Sequence, residues 1–215
     1  MTNHLHQGDL PAGVTLKGDI AVDTEAMGLN NKRDRLCLVQ LSDGNGDAHL
    51  VQFAQAPRSS SEAVAHVHYD APNLKKLLAD PKRTKIFHFA RFDLAIMRHY
   101  LGIRITPVFC TRTASRLVRT YTDRHGYKEI CKELLGVDVS KQQQSSDWGA
   151  GSLTREQIDY AAADVLYLHR LRDKLDEMLS REGREDLAQS CFNFLPCRAE
   201  LDLAGWENED IFAHG

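Results

Sequence analysis

Five side chains in this sequence could do chemistry together: Asp23 and Glu25 in DTE, Asp93 in FARFDLAIM, and Tyr160 and Asp164 in YAAAD. Asp23 and Glu25 are two apart in a β-type run, so their carboxylates share a face with Cα atoms roughly 6 to 7 Å apart. Two carboxylates that close repel unless something positive joins them, and hard divalent cations prefer carboxylate oxygens. Tyr160 and Asp164 are four apart in a helical pattern, so a phenol and a carboxylate project side by side, with small alanines between them. Taken singly, each group has an ordinary reading: solvated acids at a strand end, a carboxylate at a helix N-terminus for Asp93, and a boundary pair on an amphipathic helix. Their order along the chain is what turns them into a candidate site.

The elements that must position these groups can be read from pattern. Asp19 to Thr24, Leu36 to Ser42 and Ala48 to Phe53 form three consecutive β-type runs, the last two joined by an Asp-Gly-Asn-Gly-Asp turn. Arg58 to Ala71 is polar, serine-rich and aperiodic, which predicts an exposed loop before a helix starting near Pro72. Thr84 to Phe89 is a fourth strand, followed by a helix carrying Leu94, Ile96, Met97 and Leu101, and Pro107 to Cys110 a fifth strand. The remainder reads as helices over Thr111 to Val118 and Tyr127 to Leu135, then one long helix from Thr154 to about Ser180. Thr154 and Gln157 make a capping-box pattern there, and Ile158, Ala161, Val165, Leu168, Leu171 and Leu175 mark a core stripe. The expectation is an α/β fold with a mixed five-stranded sheet flanked by helices, Trp148 serving as a core anchor.

At 215 residues and 42% hydrophobic, the chain can bury one core and is short for two ordinary domains. A net charge of -3 lacks the basic excess of a binder of long nucleic acid, so such a partner would be held locally. Five cysteines without a CxxC pair fit neither a disulfide framework nor a structural zinc site, which points to a reducing, cytoplasmic setting. With no basic-then-apolar N-terminus and no run of apolar residues long enough to span a bilayer, a soluble protein with no membrane partner is expected. Trp206, Ile211 and Phe212 in the C-terminal tail suggest either an interface or folding back onto the domain.

The ordered set DxE, Asp and YxxxD resembles the DEDD 3′-5′ exonucleases of the ribonuclease H-like superfamily, in the subgroup with tyrosine before the last aspartate. KQQQSSDW followed by LTREQIDYAAADVLYLHRL is similar to ribonuclease D, and RDRLCLVQLS, KIFHFARFDLAI, TYTDRHGYKEIC and LAGWENEDIFAHG look like the nanoRNase C group of oligoribonucleases. The resemblance implies an exonuclease domain over residues 1–180 with a C-terminal extension over 181–215. It implies two divalent cations, Mg²⁺ or Mn²⁺, held by Asp23, Glu25, Asp93 and Asp164, with Tyr160 positioning the attacking water. Leu29 is then a candidate wedge between bases, and His88, Arg91, Arg112, Lys141 and Gln144 are candidates for contacting phosphate or sugar. The implied substrates are short single-stranded RNAs, dinucleotides especially, with single-stranded DNA an alternative, and the implied assembly is a homo-oligomer, an octamer by resemblance. Two departures stand out: many ribonuclease D sequences have His-Asn where this chain has His88-Phe89, and the polar Arg58 to Ala71 stretch is longer than expected. A ribonuclease D-like enzyme acting on longer chains and a catalytically inactive nucleic-acid-binding module remain the competing readings.

Overall fold

The computed structural model describes residues 2–53, 68–140, 142–143 and 145–214. Strand β1 (Asn3–Gln7) opens the chain, followed by β2 (Ile20–Ala26), β3 (Leu36–Ser42) and β4 (Ala48–Gln52). Next come helix α1 (Pro72–Leu78), β5 (Lys85–Phe87), α2 (Ala90–Leu101), β6 (Val108–Cys110), α3 (Thr111–Val118) and α4 (Tyr127–Leu135). Helices α5 (Arg155–Leu166), α6 (Leu168–Arg181) and α7 (Glu185–Ala204) complete it. The strands form one six-stranded sheet in the order β1-β4-β3-β2-β5-β6. Pairing is antiparallel for β2–β3 and β3–β4 and parallel for β1–β4, β2–β5 and β5–β6.

All seven residues of β3 are buried, which makes LCLVQLS the central strand that its continuous apolar run demands. Its hairpin to β4 closes through glycines with φ of +82° and +99° at Gly44 and Gly46, where Ser42 Oγ also donates to Asp47 O at 2.7 Å. On β2 the alternation of faces sends Asp23 and Glu25 one way and Thr24 the other. Helix α5 lies against β1 to β4, while α2 touches β3, β5 and β6 and packs along α7. Asp23 and Glu25 therefore stand toward the α5 side at the C-terminal end of β2, the position at which open α/β sheets offer a crevice.

The sheet has six strands rather than the five expected. NHLHQ carries a single apolar residue and so shows no strand pattern, yet its backbone pairs with five residues of β4 in register. The expected long helix also breaks, at Tyr167 (φ -106°, ψ -3°). The apolar stripe runs on across the break, but α5 packs on β1 to β4 whereas α6 packs mainly on α3 and α4 and touches the sheet at β5. His169 Nε2 lies 3.0 Å from Asp19 O and Arg172 donates to Asp19 Oδ2 at 2.7 Å, tying α6 to the segment entering β2. The capping box at Thr154 and Gln157 is present, and Trp148 is buried as expected. Most of the polar Arg58 to Ala71 stretch lies outside the described residues; within its end, Tyr69 donates its hydroxyl to Leu36 O at 2.9 Å. Among the described residues no helix is long and apolar enough to cross a membrane.

The C-terminal helix α7 returns onto the rest of the chain. Arg91 of α2 makes a bidentate pair with Asp202 at 2.6 and 2.7 Å, and Arg198 reaches the same carboxylate at 2.7 Å. The Phe192 ring sits 4.7 Å from that of Phe109 on β6. Phe194, Trp206, Ile211 and Phe212 stay exposed.

Lys85 on β5 is fully buried, and its ammonium donates to the carbonyls of Asp80, Arg83 and Thr106 at 2.7, 2.6 and 2.8 Å. Burial pushes its pKa down to about 8. One cation serves three carbonyls, and its removal leaves those of Arg83 and Thr106 without this donor, while Asp80 O keeps only the long contact from the Arg83 amide. Lys85→Met is expected to lower the unfolding free energy by about 3 kcal/mol, read from urea denaturation; an unchanged midpoint would show that the cage contributes nothing.

Candidate active site

One strand, β2, and two helices, α2 and α5, bring the acidic groups together. Oxygen atoms of Asp23, Glu25 and Asp164 all lie within 4.8 Å of one another. The capping box fixes the start of α5, and from that start the helical repeat sets Tyr160 and Asp164 on one face toward β2. Asp93, in the first turn of α2 and only 3% exposed, joins from the other side of β2, where Thr24 Oγ1 donates to its Oδ1 at 2.6 Å. Thr24 thus holds the fourth carboxylate against the strand that carries the first two.

The electrostatics of this arrangement are unfavourable for the bare protein. Burial first, then the neighbouring carboxylates Asp93, Asp164 and Glu25, push the Asp23 pKa well above the usual range. Glu25 is raised by burial and by Asp164 and Asp93. Asp93 is raised to about 7 by burial, despite the hydrogen bond from Thr24 that pulls it down. Among the described residues no lysine or arginine forms an ion pair with Asp23, Glu25 or Asp93. Hard oxygen donors at this spacing, mutually repelling and partly buried, fit divalent cations, which would restore the charge balance. Tyr160 hydrogen-bonds Asp164, and burial together with the surrounding acids drives its phenol upward, so it stays protonated.

These groups line a cleft of about 710 Å³ that also includes Leu29, His88, Phe89, Arg112, Tyr127 and Trp148. Leu29, 88% exposed, stands on its lip. The loop beneath it is built around Asp34, whose carboxylate accepts from the Arg33 guanidinium at 2.7 Å and the Asn30 amide at 2.9 Å and is held down to about 2. Gly28 leaves room there, because a Cβ would crowd the Asp34 carboxylate. His88 Nδ1 lies 3.0 Å from Thr111 Oγ1, whose hydroxyl donates to Phe87 O, so Nδ1 carries the proton and donates to Thr111.

Of the other binding candidates, Arg112 lies in the cleft but over the Phe89 ring, 5.0 Å from its centroid. Arg91 faces a neighbouring cavity of about 630 Å³ and is engaged by Asp202, as well as by the Glu207 carbonyl at 2.6 Å. Lys141 and Gln144 lie outside the described residues. Pattern reading missed Thr24, whose hydroxyl partner is 69 residues away. It also missed Tyr127, whose hydroxyl donates to Ala163 O at 2.7 Å, one residue from Asp164, and whose ring lies 5.6 Å from His88.

A model of 3′-5′ exonuclease domains matches residues 10–180. The ribonuclease D of Acidiphilium cryptum is 35% identical over 167 residues, covering 78% of this chain but 39% of that protein, so the chain spans about two fifths of the length of such relatives. The structure of Brucella melitensis NrnC with bound Mg²⁺ is 52% identical with a TM-score of 0.88, and that of NrnC bound to pGG is 53% identical with a TM-score of 0.89; each comparison covers 100% of both chains. The mixed six-stranded sheet is thus a ribonuclease H-like fold, and the chain belongs to the ribonuclease D-like 3′-5′ exonuclease family, with NrnC as a full-length relative.

Proposed function

We propose that the protein is a metal-dependent 3′-5′ exonuclease that hydrolyses short oligoribonucleotides, dinucleotides especially, to nucleoside 5′-monophosphates. The carrying observation is the convergence of Asp23, Glu25 and Asp164 oxygens within 4.8 Å, with Asp93 raised to about 7 beside them. These four carboxylates would hold two divalent cations, Mg²⁺ or Mn²⁺, which supply a lowered pKa for the attacking water and charge neutralisation at the departing 3′-oxygen. Tyr160, kept protonated, orients water rather than accepting its proton, and Asp164 fixes the phenol by accepting its hydrogen bond. Water oxygen bonds to phosphorus as the bond to the 3′-oxygen breaks; the attacking water gives up a proton to solvent and the departing 3′-oxygen takes one from solvent, leaving a nucleoside 5′-monophosphate and a shortened chain that ends in a 3′-hydroxyl.

Support for a short substrate comes from the full-length match to NrnC, whose solved complex holds pGG, and from the net charge of -3, which leaves few cations for a long phosphate chain.

Replacing Asp23, Glu25, Asp93 or Asp164 by the corresponding amide is expected to abolish Mg²⁺-dependent turnover with the circular dichroism spectrum unchanged. Normal turnover in a folded variant removes that residue from the ligand set. For Tyr160→Phe, kcat should fall about 100-fold with KM nearly unchanged, and an unaltered kcat under single-turnover conditions removes the water-orienting role. Substrate length is read from salt dependence in Asp164→Asn protein: dinucleotide affinity should vary with a log-log slope near about -1, against roughly -4 for a groove engaging six nucleotides. Tight binding of a 20-mer with the steep slope would place the enzyme with those acting on longer chains.

A further inference from the structure

The catalytic cleft and the neighbouring cavity share three lining residues, Leu29, Phe89 and Phe92. Phe89 is distinct among them in several independent ways. It alone among the described non-glycine residues has a positive φ (φ 68°, ψ 46°), a left-handed conformation that a bulky side chain avoids and that persists only where the surroundings impose it. Its ring is 45% exposed, whereas phenylalanine is ordinarily a core residue. It caps the N-terminus of α2 without a side-chain hydrogen bond, so local capping chemistry does not account for its presence. One face is covered by the Arg112 guanidinium at 5.0 Å, which backs the ring and holds it in place. It stands four residues before Asp93, whose carboxylate belongs to the catalytic cluster.

We propose that Phe89 is a base-stacking platform, its second face taking the nucleobase of one of the two nucleotides that flank the scissile phosphate. The inference rests on the proposed nuclease function and deepens it by naming a substrate contact. An exposed aromatic ring fixed beside a phosphate-cleaving site suits a nucleobase because every base has a π face, and recognition of that kind tolerates any sequence. Arg112 then serves the substrate indirectly, as the backing of the ring, rather than as a phosphate ligand.

The test compares the wild type with Phe89→Asn, Phe89→Leu and Phe89→Trp on a dinucleotide and on two analogues, each lacking one of its bases. Asparagine adopts the left-handed backbone without difficulty, leucine keeps apolar bulk without a π face, and tryptophan keeps the π face. The expected result is a KM raised roughly 10- to 100-fold in the Asn and Leu variants for the dinucleotide. The same rise should appear for the analogue lacking the unstacked base and vanish for the analogue lacking the stacked one, with Trp close to wild type throughout. Equal effects on all three substrates, the mark of a merely structural ring, would overturn the proposal, as would no effect on any. Failure of the dinucleotide preference is a separate outcome, since the coupling between ring and base can be read on a longer oligonucleotide with one base removed.

Discussion

Carboxylates that repel one another must be held within a few ångströms in a partly buried pocket, and this repulsion shapes the rest of the molecule. Burial raises the cost of each charge and the neighbours raise it again, so Asp23, Glu25 and Asp93 all sit above their ordinary pKa. A flexible support would let them part. Each instead comes from a rigid element: β2 is paired on both sides by β3 and β5, α5 starts at a complete capping box, and Asp93 is tied to β2 by Thr24. Bound divalent cations would offset that repulsion.

Support extends outward from there. Helix α2 carries Asp93 and is clamped to α7 through Arg91, Asp202 and Arg198, so the C-terminal helix buttresses the Asp93 carboxylate from a distance. Tyr127 hydrogen-bonds the backbone of α5 beside Asp164, and the Asp34-centred loop presents Leu29 at the cleft mouth. Leu29 and Phe89 at the cleft mouth lie on a loop and a helix cap, whereas the charge-bearing groups lie on the paired strand β2 and on helices α2 and α5.

Much of this was legible in the chain because local rules agreed with the tertiary outcome. The two-residue spacing of Asp23 and Glu25 and the four-residue spacing of Tyr160 and Asp164 are statements of strand and helix periodicity, and the elements obey them. LCLVQLS, TRTASRLV and YKEICKELL occupy the strand and helices read from their patterns. Where reading failed, the deciding contact was remote. Strand β1 is specified by β4 and not by its own residues, and the turn at Tyr167 is specified by the separate partners of α5 and α6. The pairing of Arg91, read as a candidate for contacting phosphate or sugar, with Asp202 likewise spans 111 residues. Phe89 was noted as a missing amide, since neither its left-handed backbone nor the stacking of Arg112 leaves a local signal.

The central claim is that the carboxylate cluster is strained until divalent cations join it, and thermal unfolding against pH tests it most directly. Folded-state pKa values raised above the unfolded ones mean that the stability is fully present below the carboxylates' unfolded pKa of about 4 and is lost as pH climbs through the folded value, about 7 for Asp93. Metal-free protein should therefore melt at a lower temperature at pH 8 than at pH 5, with Mg²⁺ restoring most of the difference at pH 8 and doing little at pH 5. A melting temperature that is flat across this range and indifferent to Mg²⁺ would contradict the account.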